Sequence, residues 1–256
     1  PFIALTATAD KLTRKDITAQ LSLKKPAIFI SSFDRPNLNL QVLPGKKRFE
    51  TIVDFLVQKV NESGIIYCLS RKSTENLALK LRAQGFSATA YHAGLTSKER
   101  QKAQEDFIND EVNIVCATVA FGMGIDKSNV RFVIHYNLPK NIEGYYQEIG
   151  RAGRDGLPSD TLLFYSYADV VQLNQFVEQS GQKEFQAAKL RRMQDFTESR
   201  ICRRKILLAY FGEVLENNCG NCDVCKNPPK LFNGTSIAQM ALSAIARVNE
   251  QEPVGV

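Results

Sequence analysis

Short apolar runs alternate with amphipathic segments between residues 27 and 168, and this alternation restricts the fold more than any other feature. Apolar runs of strand length occur at residues 27–31, 64–70, 88–92, 113–118, 131–137 and 161–166. Between several of them, apolar residues recur at spacings of three and four, as they do on one face of a helix. Strands that alternate with such helices form right-handed βαβ units and a parallel sheet. The sequence therefore predicts an α/β domain.

Helices and a few further elements are predicted around this alternation. Thr96 followed by Glu99 has the pattern of a capping box, and Ser73-Thr74-Glu75 predicts another helix start. After residue 167 the strand pattern stops, and two long helices are predicted near residues 186–198 and 198–211. A strand over Phe2–Thr6 with a helix after it is predicted at the start, and Ile237, Met240, Ala241, Ala244 and Ile245 predict an amphipathic helix near the end.

Composition and charge exclude several classes of protein. Apolar residues make up 44% and charged residues 23%, which is enough to bury a core. No apolar run approaches the roughly 20 residues of a membrane-spanning helix. The net charge is 33 minus 27, or +6, which permits a nucleic-acid partner but is shared by many ordinary enzymes. The chain starts with neither Met nor a signal peptide, so we expect an intracellular piece of a longer protein.

Four of the six cysteines lie close together near the C-terminal end, at Cys202, Cys219, Cys222 and Cys225. A distant cysteine with three more at intervals of three residues has the spacing of a structural zinc site. Two disulfides or four unrelated thiols are the alternatives. The remaining cysteines, Cys68 and Cys116, stand in strand-like runs and are predicted to be small buried apolar residues. Reduced thiols beside a metal-like cluster indicate a reducing compartment.

Two segments combine glycine with charged residues in a way that suits phosphate binding. In Q-E-I-G-R-A-G-R-D-G, Arg151 and Arg154 lie on one side of a helical turn, and guanidinium groups match phosphate oxygens bidentately. A solvated turn with an ion pair is the alternative interpretation. The second segment follows a predicted strand and contains Gly122, Gly124 and Asp126, at the strand end where α/β sheets bind ligands.

These segments resemble the motifs of a known motor. A-T-V-A-F-G-M-G-I-D-K resembles motif V of superfamily-2 helicases, Q-E-I-G-R-A-G-R-D-G resembles motif VI, and I-I-Y-C-L-S-R-K-S-T-E resembles motif IV. A-L-T-A-T-A at the start resembles motif III, which belongs to the end of the first motor lobe. Gln147 at the opening of motif VI and the cysteine spacing point to the RecQ family of ATP-dependent DNA helicases.

The resemblance implies a role for each candidate residue. Arg151 and Arg154 would reach the γ-phosphate of ATP held between two lobes. Gln147 would contact nucleotide or the neighbouring lobe, with Gly122, Gly124 and Asp126 also at the nucleotide. The residues that would bind the DNA strand are Ser70, Arg71, His92 and Thr118. The four clustered cysteines would hold one structural zinc ion, with Arg200, Arg203, Arg204 and Lys205 nearby to offset its charge or to reach DNA phosphate.

The resemblance also implies a division of the chain. Residues 1–24 would be a remnant of the first RecA-like lobe, 25–168 the second RecA-like lobe, 169–230 a small helical zinc-binding subdomain, and 231–256 a linker or the start of a winged-helix domain. The sequence contains neither G-x-x-x-x-G-K-[ST] nor D-E-x-H, the motifs that bind phosphate and Mg²⁺. We therefore expect those motifs in the missing first lobe, and no ATP hydrolysis by this chain alone.

The expected partners are single-stranded DNA, duplex junctions and the first lobe, with no membrane. The family implies 3′ to 5′ unwinding in DNA repair and recombination. It also implies a cytoplasmic, nucleoid-associated location in a bacterium and a nuclear one in a eukaryote. Two alternatives stay open: a superfamily-2 RNA helicase lobe, against which Gln147 and the cysteine unit argue, and a non-enzymatic module that binds zinc and nucleic acid.

Overall fold

A single parallel sheet organises the protein, as the sequence predicts. The structure is a computed structural model that describes residues 3–6, 11–122, 125–230 and 233–247. The strands of its sheet are β1 (Leu38–Pro44), β2 (Ser63–Tyr67), β3 (Ala88–Tyr91), β4 (Ile114–Ala117), β5 (Val130–His135) and β6 (Ser159–Tyr165). They are arranged in the order β1-β6-β5-β2-β4-β3, and every pair is parallel.

Helices flank the sheet and then continue beyond it. The first five are α1 (Lys11–Gln20), α2 (Arg48–Val57), α3 (Arg71–Ala83), α4 (Ser97–Ile108) and α5 (Ile142–Ile149). The rest are α6 (Tyr167–Glu178), α7 (Lys183–Glu198), α8 (Arg203–Tyr210), α9 (Asp223–Lys226) and α10 (Thr235–Arg247). Within the described ranges, no helix is both long enough and apolar enough to cross a membrane.

Side-chain caps fix several helix starts. The predicted capping box is present: Thr96 accepts from the Glu99 amide, and the Glu99 carboxylate accepts from the Thr96 amide. Helix α3 begins earlier than predicted, because the Ser70 hydroxyl accepts from the amide of Ser73 and so caps the helix at Ser70. Asn141 caps α5 in the same way. These caps place the residues after β2 and β5 in defined positions at the carboxyl edge of the sheet.

The core lies on both faces of the sheet because alternate residues of each strand point to opposite sides. On one face, Ile65 and Val133 pack with residues of α5, α7 and α8. On the other, Ile66 and Cys116 pack with α2 and α3. As predicted, Cys68 and Cys116 are buried free thiols, and burial raises the pKa of both. Neither thiol is therefore a reactive group at neutral pH.

Two predicted strands are absent from the described residues, and two elements of the structure were not predicted. Residues 27–31 form no strand, and their apolar side chains are exposed, with Phe29 the most exposed at 93%. The sheet position next to β6 is occupied instead by β1, which the sequence analysis missed and in which Leu38 and Leu40 are buried. Of the strand predicted over Phe2–Thr6, residues 3–6 form no strand either, and Phe2 lies outside the described residues. Helix α6 was missed, and the two predicted long helices correspond to α7 and the shorter α8.

Candidate zinc and nucleotide sites

The four clustered cysteines converge around one point. Cys202 immediately precedes α8, Cys219 lies in the following loop, and Cys222 and Cys225 lie at α9. Their sulfur atoms all lie within 4.8 Å of one another. Individual Sγ–Sγ distances are 3.8 Å for Cys219–Cys225, 4.0 Å for Cys222–Cys202 and 3.4 Å for Cys222–Cys225. A tetrahedron with Zn–S bonds of about 2.3 Å has S–S edges of about 3.8 Å, so the cluster has the size of a Zn(Cys)₄ site.

Backbone amides donate hydrogen bonds to two of the four sulfur atoms. The amide of Cys219 donates to the Cys202 sulfur at 3.4 Å, and the amide of Asn221 donates to the Cys219 sulfur at 3.4 Å. Burial raises the pKa of Cys202, but hydrogen bonds from the backbone of Cys219 and Lys205 and from neighbouring thiols outweigh it and lower the pKa to about 7. Burial raises the pKa of the other three thiols. Four thiolates fill a tetrahedral zinc shell and leave no open position, which is the arrangement of a structural site. The residues present therefore fit one structural zinc ion.

Arg203 and Arg204 are not available to DNA phosphate, one of the two roles that the sequence left open for them. Both are buried, at 6% and 3% exposure. Arg203 binds the Asp223 carboxylate and the carbonyl oxygens of residues 196 and 197. Arg204 donates to the Asp34 carboxylate and to the Leu38 carbonyl oxygen, both at 2.6 Å. These two arginines fasten the cysteine unit internally and to the start of β1.

The cysteine unit also contacts the backbone of β1 directly. Leu40 and Cys222 form a parallel β-bridge. The Val42 amide donates to the Asp223 carboxylate at 3.2 Å, and the Asn221 side chain donates to the Leu38 carbonyl oxygen at 3.2 Å. β1 is an edge strand, with no further strand of the sheet on its outer side. The cysteine unit covers that side instead.

A cleft of about 280 Å³ opens at the carboxyl ends of β2, β4 and β5. This is the edge at which parallel α/β sheets bind ligands. Thr118, Gln147 and Arg151, which the sequence singled out, line the cleft. Its wall also includes residues that the sequence analysis missed, Asn137, Lys140 and Asn141. Their position at the end of the predicted strand 131–137 and shortly after it is the signal that could have identified them.

The two arginines of motif VI are held by the loop of motif V. Arg151 donates to the carbonyl oxygen of Gly122 at 2.5 Å. A Cβ atom on Gly122 would lie 2.4 Å from the Arg151 Nη2, so the glycine is what lets the guanidinium approach. Arg154 donates to the Ile125 carbonyl oxygen at 3.1 Å and to Asp126 at 2.8 Å. The structure thus brings both arginines together with Gly122 and Asp126, while Gly124 lies outside the described residues.

Charges around the arginines are partly neutralised. The ion pair that the sequence left open is formed between Arg154 and Asp126, which is 91% exposed. The two acidic residues nearer in sequence pair elsewhere, and Asp155 binds Arg131. The Glu148 carboxylate instead lies 2.7 Å from Nε2 of the buried His135. The Arg151 Nε is buried and has no hydrogen-bond partner among the described residues. Arg151 therefore retains an unused buried donor beside the cleft.

The predicted DNA-binding residues follow β2, β3 and β4 at the same sheet edge. Ser70 caps α3, and Arg71, the first residue of that helix, is exposed. His92 is only 3% exposed, its Nε2 lies 2.9 Å from Glu75, and its Nδ1 accepts from the Gly94 amide. Thr118 is half-buried in the wall of the cleft. Direct DNA contact by these four residues stays a prediction, and for His92 the contacts show a role in fixing its loop.

Comparison with known proteins agrees with the geometry. The family model "Helicase conserved C-terminal domain" matches residues 47–156, and "RecQ zinc-binding" matches residues 167–226. A solved structure, S. cerevisiae Dbp5 bound to RNA and ADP BeF3, superposes with a TM-score of 0.56 at 19% identity, over 67% of this chain and 47% of that chain. That similarity concerns the fold alone. Fold and site together define the C-terminal lobe of a helicase motor joined to a zinc-binding unit.

Proteins of similar sequence show which helicase family the chain belongs to. The chain is 48% identical over 254 residues to an ATP-dependent DNA helicase RecQ of Pasteurella multocida, covering 98% of this chain and 40% of that protein. It is 46% identical over 229 residues to a putative ATP-dependent RNA helicase of Acanthamoeba polyphaga mimivirus, covering 88% of this chain and 42% of that protein. The chain belongs to the RecQ family, and it spans well under half the length of these relatives.

Proposed function

We propose that the chain is the second motor lobe and zinc module of an ATP-dependent DNA helicase that unwinds duplex DNA 3′ to 5′ in repair and recombination. The main structural support is the position of Arg151 and Arg154 on the turn after α5, beside a cleft at the carboxyl edge of the sheet. The RecQ relatives support the same activity. The phosphate-binding and Mg²⁺-binding motifs would come from a first lobe, with which this lobe would enclose ATP.

In this proposal Arg151 and Arg154 release the carbonyl oxygens and carboxylate that hold them and bind the γ-phosphate. One of them acts as an arginine finger, which stabilises the charge of the transferring phosphoryl group. Gln147, Gly122, Gly124 and Asp126 support the nucleotide side of the same edge. Since ADP lacks the γ-phosphate, hydrolysis removes the contact and changes the preferred spacing of the lobes. Alternate closing and opening then moves the lobe along a DNA strand.

The DNA strand is proposed to cross the carboxyl edge near Ser70, Arg71 and Thr118, with the loop of His92 beside them. These residues follow neighbouring strands β2, β4 and β3, so a backbone that binds one of them passes the others. Arg71 offers the charge for a phosphate contact, and hydroxyl groups of serine and threonine are common phosphate donors. The proposed location is the nucleoid region of a bacterial cytoplasm, or the nucleus of a eukaryotic cell.

The test is ATP hydrolysis by the full-length protein in the presence of single-stranded DNA. We expect Arg151→Ala and Arg154→Ala each to lower kcat, and the variant that removes the arginine finger to reduce it by about 10³-fold or more. Arg82→Ala is the control, because Arg82 donates to the Ala88 carbonyl oxygen at the opposite edge of the sheet, away from the cleft. Full activity of Arg151→Ala would contradict the proposal, as would ATP hydrolysis by this chain alone.

An RNA helicase is the second candidate, and the name of the mimivirus relative favours it. Unwinding of matched DNA and RNA duplexes with identical overhangs separates the two. We expect the DNA duplex to be unwound and the RNA duplex to remain paired. Salt dependence of binding does not discriminate, because phosphate contacts make both kinds of binding salt-dependent.

A further inference from the structure

The segment Ser32–Asn37, which precedes β1, lies between the turn of Arg151 and Arg154 and the helices of the zinc unit. On the zinc-unit side, Phe33 stacks on Phe211 with ring centroids 4.4 Å apart, and the Glu213 carboxylate accepts from the Phe33 amide at 2.8 Å. On the other side, the Tyr146 hydroxyl of α5 donates to the Phe33 carbonyl oxygen at 2.9 Å. The segment is therefore held from two directions, although it contains neither helix nor strand.

Arg35 is the residue of this segment that reaches the arginine turn. Its guanidinium donates to the carbonyl oxygens of Ala152 at 2.9 Å and Gly153 at 2.8 Å, with a longer contact of 3.4 Å to that of Gly150. Helix α5 ends at Ile149, so these are carbonyl groups at and just beyond the C-terminal end of a helix. The Gly150 carbonyl at the helix end lacks a partner within the helix and carries partial negative charge, and those of Ala152 and Gly153 belong to the turn that follows. One planar guanidinium satisfies several of them at once.

Asn37 provides a second contact to the same turn. Its side-chain amide donates to the carbonyl oxygens of Gly153 at 2.9 Å and Leu157 at 3.0 Å. The turn fits closely against it: a Cβ atom on Gly153 would lie 2.4 Å from the Asn37 Nδ2, and Gly153 has a φ of +58°. Arg35 and Asn37 thus fix the backbone on both sides of Arg151 and Arg154, without touching the cleft.

We propose that Arg35 is a positioning residue for ATP hydrolysis, which sets the direction in which the turn presents Arg151 and Arg154 to the γ-phosphate. The inference rests on the proposed function. An arginine finger acts only from a narrow range of positions, and a displacement of about 1 Å can cost 10²-fold in rate. When the Arg35 contacts are lost, Asn37 still holds the turn, but Arg35 no longer does. The side chains that line the cleft keep their places.

The experiment compares Arg35→Lys and Arg35→Ala with Arg82→Ala and Arg151→Ala in the full-length protein. Lysine keeps the positive charge but has no planar fork with which to bind several carbonyl groups. For each variant, zinc content, melting temperature, kcat, KM for ATP and the Kd of ADP are measured. We expect both Arg35 variants to lower kcat about 10- to 100-fold, with KM and the ADP Kd within about two-fold and lysine less damaging than alanine. Zinc content and the activity of Arg82→Ala should remain those of the parent.

Two results would overturn the inference. One is parental kcat in a folded Arg35→Ala variant. The other is a parallel loss of kcat, ADP affinity, zinc and melting temperature, which would make Arg35 merely structural. Should both Arg35 variants fail to fold, Asn37→Ala takes their place, and it should lower kcat while leaving ADP affinity unchanged. If Arg151→Ala keeps full activity, the proposed function itself fails, whereas inactive Arg151→Ala with fully active Arg35 variants refutes only the role of Arg35.

Discussion

Replacing Gly153 with alanine tests how tightly the arginine turn is packed. Gly153 has a left-handed backbone with φ of +58°, and an added Cβ atom would lie 2.4 Å from the Asn37 Nδ2 and 2.8 Å from the Leu157 carbonyl oxygen. Gly156 makes a matched control, because its φ is +82° and an added Cβ would meet no atom within 4 Å. The two substitutions therefore share the backbone strain, and only the first creates a steric clash.

The structure gives a magnitude for each change. Left-handed backbone costs an L-residue about 1–2 kcal/mol, so Gly156→Ala should lower the free energy of unfolding by about 1 kcal/mol once the lower entropy of the unfolded chain is included. In Gly153→Ala the clash also displaces the Asn37 side chain, which gives up its hydrogen bonds to Gly153 and Leu157. At about 1 kcal/mol for each lost bond, Gly153→Ala should be destabilising by about 3 kcal/mol.

Urea unfolding of the two variants and the parent, followed by circular dichroism, measures the difference. The m-value should stay constant, so the midpoint reports stability directly. We expect Gly153→Ala to be less stable than Gly156→Ala by about 2 kcal/mol. Equal destabilisation in the two variants would refute the packing of Asn37 against the turn. A third variant that combines Gly153→Ala with Asn37→Ala should recover part of the loss, since the closest clash, with the Asn37 Nδ2, is then removed, while the contacts with Ser159 Oγ and the Leu157 carbonyl oxygen remain.

Two further predictions concern the zinc site and an ion pair. The purified chain should contain about one zinc ion. Cys222→Ser should lose both the metal and the fold of the cysteine unit, whereas the control Cys116→Ala should keep the zinc. Elemental analysis and thermal unfolding measure this, and a stable parent protein without zinc would contradict it. Burial raises the pKa of Glu143, but its ion pair with Lys189 at 2.7 Å, together with hydrogen bonds from its own backbone amide and from Tyr210, outweighs this and leaves the pKa below its ordinary value of 4.5. A lowered carboxyl pKa stabilises the fold above that value and stops doing so as the pH falls through the folded pKa. Lys189→Met should therefore have a lower free energy of unfolding than the parent near neutral pH, and this difference should disappear in acid. Urea unfolding at several pH values measures it, and a difference that does not change with pH would refute the role of the ion pair.

The sequence could predict those parts of the fold that depend on local pattern. The strands β2, β4, β5 and β6 contain continuous apolar runs because the sheet buries both of their faces. The edge strand β1 reads L-N-L-Q-V-L-P, and only part of it is buried, so its signal is weak. The exposed run at residues 27–31 is more apolar than β1, yet it pairs with no strand among the described residues. Tertiary partners, rather than hydrophobicity, decided which of the two segments joined the sheet.

In the candidate sites, too, local sequence patterns could be predicted and tertiary contacts could not. Cysteine spacing identified the metal cluster, because three of its members are close in sequence and the ligand chemistry is specific. Motif order identified Arg151 and Arg154. The sequence could not show that both are held by the loop of Gly122 and Asp126, or that Arg35 binds their turn, because the residues in these contacts are separated by 28 or more positions in the chain. Only the fold brings such residues together.

The contact between the cysteine unit and β1 has a consequence for protein handling. An uncovered edge strand offers unpaired amide and carbonyl groups to a strand of another molecule, and native proteins avoid aggregation by covering such edges. Here the cover is the bridge from Leu40 to Cys222 with its neighbours Asn221 and Asp223. Removing the metal would loosen this cover first and expose the backbone of β1. We therefore expect protein treated with a chelator to self-associate through its sheet edge and to precipitate at high concentration. The bound zinc ion would then also keep the protein soluble.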